Sequence, residues 1–181
     1  MTRRLAILAV LLCSAMPAAA SEPDRVRIGA FALDRTEVTI GRFRAFARAA
    51  GLVTTAEREG GGFEFAAGWT RRAGWTYERP QGAPGADGRS VGGRLPTMAE
   101  WRQAAYTETR ATPTDGFERG RTYAYPVGDQ PDGMNNNRRA HVAVATTKRG
   151  VNGLFDMGAN VWEWIADRRG DDALTAGGSW W

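Results

Sequence analysis

The chain has 181 residues with 24 basic and 20 acidic side chains, one histidine and one cysteine. That length suits one domain with a real core. A net charge of +4 asks for no nucleic acid, and a lone cysteine excludes an internal disulfide.

Residues 1–20 read as a secretory signal peptide. Arg3 and Arg4 precede an apolar run from Leu5 to about Met16, and Ala18-Ala19-Ala20 closes it before Ser21. The run is shorter than the ~20 residues of a membrane span, so no membrane attachment is expected after cleavage. A lipoprotein anchor at Cys13 is disfavoured by Leu11 and Leu12, where small residues would be needed. The expected location is periplasmic or secreted. Removal leaves 22 basic and 20 acidic residues, a charge of +2 and no cysteine, while all 23 glycines and all seven tryptophans remain. Such a chain has many turns, few long regular elements, and aromatics that do much of the packing.

Residues 25–39 read as a strand, a tight turn at Gly29-Ala30 and a second strand. Thr39 then caps a helix over 40–50, with Ile40, Phe43, Phe46, Ala47 and Ala50 at helical spacing and Gly51 as its stop. Residues 56–79 carry too many aromatics for a linker and read as a glycine-hinged loop layer over the core. Residues 81–93 read as an exposed, mobile connection. Thr97 and Glu100 form a capping box for a helix over roughly 98–110, with Trp101, Ala104, Ala105 and Glu108 on one face. The stretch 122–139 is turn chemistry. Its asparagines either form turns or offer oxygens to a hard cation. His141 reads as hydrogen-bonded structure.

The segments LDRTEVTIGRF (33–43), GRLPTMAEWRQAAY (93–106), YAYPVGD (123–129), GVNGLFDMGANVWEW (150–164) and GGSWW (177–181) follow one another in this order. Together they resemble the sulfatase-modifying-factor family, which includes the formylglycine-generating enzymes, over about residues 25–181. The resemblance implies a compact α+β domain, similar to the C-type lectin core and low in regular secondary structure. It implies oxidation of a cysteine in a protein substrate to formylglycine, with copper held by two cysteines. It also implies structural calcium, with Asp156 and Glu163 giving side-chain oxygens and Ala159 and Val161 giving carbonyls, a donor mixture that suits the ion. A second calcium site would use Asn135 and the carbonyl of Asn136, but no acidic partner lies in 138–150.

The alternative for Asp156 and Glu163 is that they cap a turn and pair with Arg168 or Arg169. The family has Ala-Gly where this chain has Gly158-Ala159, which puts the dihedrals of that turn in question. The family's segment before RLPT is longer, which would leave an apolar flank of the 98–110 helix uncovered. No residue here is expected to be catalytic. Copper wants soft sulfur ligands, and no thiolate remains after cleavage. The domain at 21–181 is accordingly expected to be incomplete at its C-terminus and inactive as an oxidase. The alternatives are a non-catalytic, calcium-stabilised domain of the cell envelope that binds peptide or protein, and a decayed product without a stable fold. Trp69, Trp75, Arg71 and Arg72 would line a peptide groove or, alternatively, the tryptophans would plug the core.

Overall fold

The computed structural model describes residues 24–65, 68–79, 94–136 and 140–180. The signal-peptide segment, the 81–93 connection and Trp181 lie outside the described residues. The fold is α+β with little regular structure. Strands β1 (Arg25–Ile28) and β2 (Phe31–Asp34) form a hairpin, followed by helices α1 (Ile40–Ala50) and α2 (Thr55–Arg58). A second hairpin pairs β3 (Gly61–Phe65) with β4 (Trp69–Ala73), and helix α3 (Met98–Tyr106) comes next. A 3₁₀ turn at Val151–Gly153 leads to β5 (Glu163–Arg169) and β6 (Asp172–Ala176). Each hairpin is a separate two-stranded antiparallel sheet. No described helix is long and apolar enough to cross a membrane.

One core ties these pieces together. Val26 and Ile28 from β1 meet Trp101, Ala104 and Ala105 from α3, Leu154 and Met157 from the loop before β5, and Ile165 and Ala176 from the last hairpin. Val26 and Ile28 point inward while Arg25 and Arg27 point out, as strand alternation requires. In α3, Thr97 accepts from the Glu100 amide, and the Glu100 carboxylate returns to the Thr97 amide at 2.9 Å. Arg94 donates to that same carboxylate at 2.6 and 2.7 Å, which holds the Glu100 pKa down to about 2 together with the Thr97 amide.

Helix α1 matches its expected bounds. The Thr39 side chain caps it, and Gly51 ends it at φ 61°. Two expectations fail. Helix α3 stops at Tyr106, not 110, because Thr107 leaves the helix to bridge Thr122 and the Glu108 amide bonds Arg121. The 56–79 region is not a loop layer but α2 and a regular hairpin. Its register pairs Phe63 with Arg71 and Glu64 with Thr70. Strand β4 is exposed along its length, and Trp69 is 73% exposed, so Trp69 plugs no core.

Both α3 and α2 have a complete capping box, but α2 buries no residue. Thr97→Ala should lower global stability by ~1 kcal/mol, the usual value of such a cap. Thr54→Ala should fray α2 and leave the urea midpoint nearly unchanged. Equal shifts for the two variants would contradict this division of the fold.

Candidate metal centre

The ribbon 150–163 is anchored before it reaches its acids. Asn152, fully buried at φ 55°, accepts from the Thr109 amide and hydroxyl through Oδ1, each at 2.7 Å. Its Nδ2 donates to the carbonyls of Ala104 and Thr107, and its amide donates to Glu108. Glu108 also accepts from the backbone and the guanidinium of Arg110. Burial works to raise its pKa, but the Arg110 bonds and the Arg110 and Asn152 amides outweigh it, and the carboxyl stays below its ordinary value.

Beyond this anchor the chain winds through left-handed conformations at Asp156, Ala159 and Asn160, with φ of 60°, 66° and 58°. A non-glycine residue there costs about 1 kcal/mol or more. The Gly158-Ala159 order has a steric reason. A Cβ at position 158 would sit 2.7 Å from the Met134 methyl and 3.0 Å from Pro126, so the close approach takes glycine and Ala159 carries the strain.

Three carboxylates meet around this ribbon. Asp156 is buried and accepts from the Ala145 amide at 3.0 Å and the Thr147 hydroxyl at 2.5 Å. Glu163 accepts from the Trp101 indole at 2.6 Å. Its Oε2 and the Met157 carbonyl would each lie 3.3 Å from a Cβ at Gly177. Glu37, from the segment between β2 and α1, accepts from Asn160 Nδ2 at 2.8 Å through Oε2, while its Oε1 is buried with no partner. None of the three forms an ion pair among the described residues.

The consequence is electrostatic. Burial raises Glu163, the Trp101 bond lowers it less, and the charges of Glu37 and Asp156 raise it further, to about 8. Burial raises Glu37, the Asn160 side chain and, more weakly, the Val161 amide oppose, and Asp156 adds to the rise, giving about 7. The carbonyls of Ala159 and Val161 accept no hydrogen bond among the described residues. An orphaned carboxyl oxygen, two open carbonyls and neighbouring acids that resist ionising together are a donor set that fits a hard divalent cation. No three of the described His, Cys, Asp or Glu side chains converge tightly enough to form a shell alone, so carbonyls would have to complete it.

Asp156 and Glu163, expected from sequence, do come into electrostatic contact. Asp156 caps the turn at 145–147, and Arg168 donates instead to the Asp171 carbonyl. Asn135 is buried, and its Nδ2 donates to Asn160 Oδ1 at 2.8 Å, so it braces the first site, while Asn136 lies on the surface. His141 packs edge-on against Trp180 with centroids 5.9 Å apart. Glu37 and Asn160 were not singled out from sequence. Asn160 lies inside the quoted GANVWEW stretch, and Glu37 is the acid just upstream of the α1 cap, but no periodicity marks either.

Residues 85–181 match the family model described as the sulfatase-modifying factor enzyme 1-like domain. The chain belongs to this family. It is 32% identical over 194 residues to a formylglycine-generating enzyme of Streptomyces coelicolor, covering 78% of this chain and 59% of that protein. It is 29% identical over 190 residues to one of Thermomonospora curvata, covering 78% and 61%. The chain thus spans about three fifths of the length of these curated relatives. The crystal structure of CarF aligns with 82% of this chain and 74% of its own, at 21% identity and a TM-score of 0.41. The sulfatase-modifying-factor match includes α3, the ribbon and the last hairpin, whereas Glu37 reaches the site from outside the matched residues.

Both raised carboxyls hold a proton in the fold at pH values where the unfolded chain has released it. Stability in chelator should therefore be full below the ordinary value of 4.5 and fall as pH rises through about 7 and 8. Thermal unfolding in chelator across that window should show the fall, and Glu37→Gln should flatten it. A chelated protein whose stability rises over the window would refute the arrangement.

Proposed function

We propose that the ribbon and Glu37 hold a structural calcium ion, and that this sulfatase-modifying-factor domain recognises a peptide or protein partner. The buried, partnerless Glu37 Oε1 carries the reading, because an ionised oxygen in that position is costly without a cation. Glu37 and Glu163 would give side-chain oxygens, and Ala159 and Val161 carbonyls. Asp156 would add charge, and an oxygen if its turn relaxes. When bound, the ion supplies positive charge and coordination, which lets both glutamates ionise and pins the segment before α1 to the ribbon. The site suits the affinity range of extracellular calcium modules, about 10⁻⁴–10⁻³ M, in keeping with the expected secretion.

The named relatives generate formylglycine, and for this chain that activity needs ligands from outside these residues. Cys13 is the only cysteine, too few for a copper site held by two thiolates. A groove of about 750 Å³ along α3, lined by Met98, Arg102, Gln103, Tyr106 and Thr122, offers a mixed polar and apolar wall to an extended partner. The exposed hairpin, with Trp69 and with Arg71 stacked on Phe63, offers a second face.

Calcium should raise the melting temperature, with about 2.7 kcal/mol gained at a hundredfold excess over Kd. Terbium should luminesce on tryptophan excitation, since Trp101 touches Glu163. Glu163→Gln and Glu37→Gln should each weaken both responses. A melting temperature indifferent to calcium and to chelator would sink the proposal. For the partner, Trp69→Ala on the exposed hairpin should weaken capture of a substrate peptide and leave the calcium response intact. Equal loss of both would mean unfolding instead.

A further inference from the structure

Asn152-Gly153 is the only Asn-Gly pair in the sequence. In a flexible chain this pair is prone to succinimide formation, because glycine leaves the following amide nitrogen unhindered. The Gly153 nitrogen, once deprotonated, attacks Asn152 Cγ. A C–N bond forms, the Cγ–Nδ2 bond breaks, and ammonia leaves. Solvent water then opens the ring to aspartate or isoaspartate. The net change is amide plus water to acid plus ammonia, with no oxidant or reductant.

The fold blocks each requirement. The Gly153 N–H donates to the Gly150 carbonyl at 3.0 Å, so the nucleophile is engaged. The leaving nitrogen, Nδ2, donates to the Ala104 and Thr107 carbonyls at 2.9 and 2.8 Å. Oδ1 is held by both Thr109 donors, and Asn152 is 0% exposed, which keeps hydrolytic water away. The same contacts reject the product. A carboxylate at 152 would set an acceptor against the Ala104 and Thr107 carbonyls and beside the fully buried Glu108, a costly uncompensated charge. Isoaspartate would also add a backbone atom to a turn whose residues 151–153 are all buried.

We propose that Asn152 is a deamidation site opened only by unfolding of the ribbon, and that its modification makes that unfolding permanent. The full chain would be incubated folded, and separately in urea at the same mildly alkaline pH, then returned to native buffer. Soluble folded and misfolded fractions would be mapped by peptide mass spectrometry. Deamidation at 152 should be more than about tenfold slower in the folded sample, since only the opened fraction reacts. The refolded fraction should retain the amide, and the acid forms should collect in the misfolded one. Equal rates in the two incubations, or acid forms recovered in the refolded fraction, would overturn the proposal. Asn152→Asp supplies the product directly and should yield little folded protein. Its normal folding, read by near-ultraviolet circular dichroism, would also overturn it.

Discussion

A carboxylate placed out of water must find donors or a cation, and this molecule answers that constraint in two ways. Glu108 is fully buried and accepts from the Asn152 amide and from the backbone and guanidinium of Arg110, so it stays ionised and inert. Glu37, from the segment before α1, and Glu163, at the far end of the ribbon, have one donor side chain each, Asn160 and Trp101. The first arrangement closes a junction between α3 and the 3₁₀ turn. The second leaves two carboxyls short of donors, and so reluctant to ionise, beside open carbonyls. The difference is one of partners, since all three are glutamates. A saturated acid is an anchor, and an unsaturated one awaits a ligand.

The strain at Ala159 belongs to the same logic. The chain could lower it by placing glycine at 159, but 158 has the stronger claim, being wedged between Met134 and Pro126. Left-handed residues at 156, 159 and 160 turn the backbone sharply. The Ala159 amide is held by the Gly177 carbonyl, and the Asn160 carbonyl accepts from Trp180. The last hairpin and the residues after it therefore fix a conformation that local preference disfavours. Strain kept by surrounding contacts is a common mark of a ligand site.

Much of this was legible in the sequence where local chemistry decides structure. Thr39, Gly51, Thr97 and Glu100 mark helix ends through their own side chains, and the Gly29-Ala30 turn separates two alternating runs. What was illegible depends on distant partners. Helix α3 ends early because Thr107 finds Thr122, fifteen residues away. The β3–β4 hairpin hides behind glycines at 61 and 62 that look like loop. A Cβ at 61 would meet the Arg72 carbonyl at 2.3 Å, so glycine there is required by the cross-strand approach. The tryptophans misled in the opposite direction. Trp162 and Trp164 are more than half exposed, and Trp101, far away in sequence, is the one that reaches Glu163. Asp156 and Glu163 stood out through the family resemblance of their segment, but Glu37 could be found only in three dimensions.

The anchor and the acid cluster are mechanically one object. Only a few residues separate Asn152 from Asp156, and Leu154 between them is buried in the main core. A cation that lowered the repulsion among Glu37, Asp156 and Glu163 would stabilise the closed ribbon against opening. That same opening exposes the Asn152-Gly153 bond. Charge compensation at one end of the ribbon would therefore protect the amide at the other, through the population of a shared open state and without any contact between them. Losing the cation would raise that population, and the chemistry at 152 would turn a reversible opening into an irreversible one.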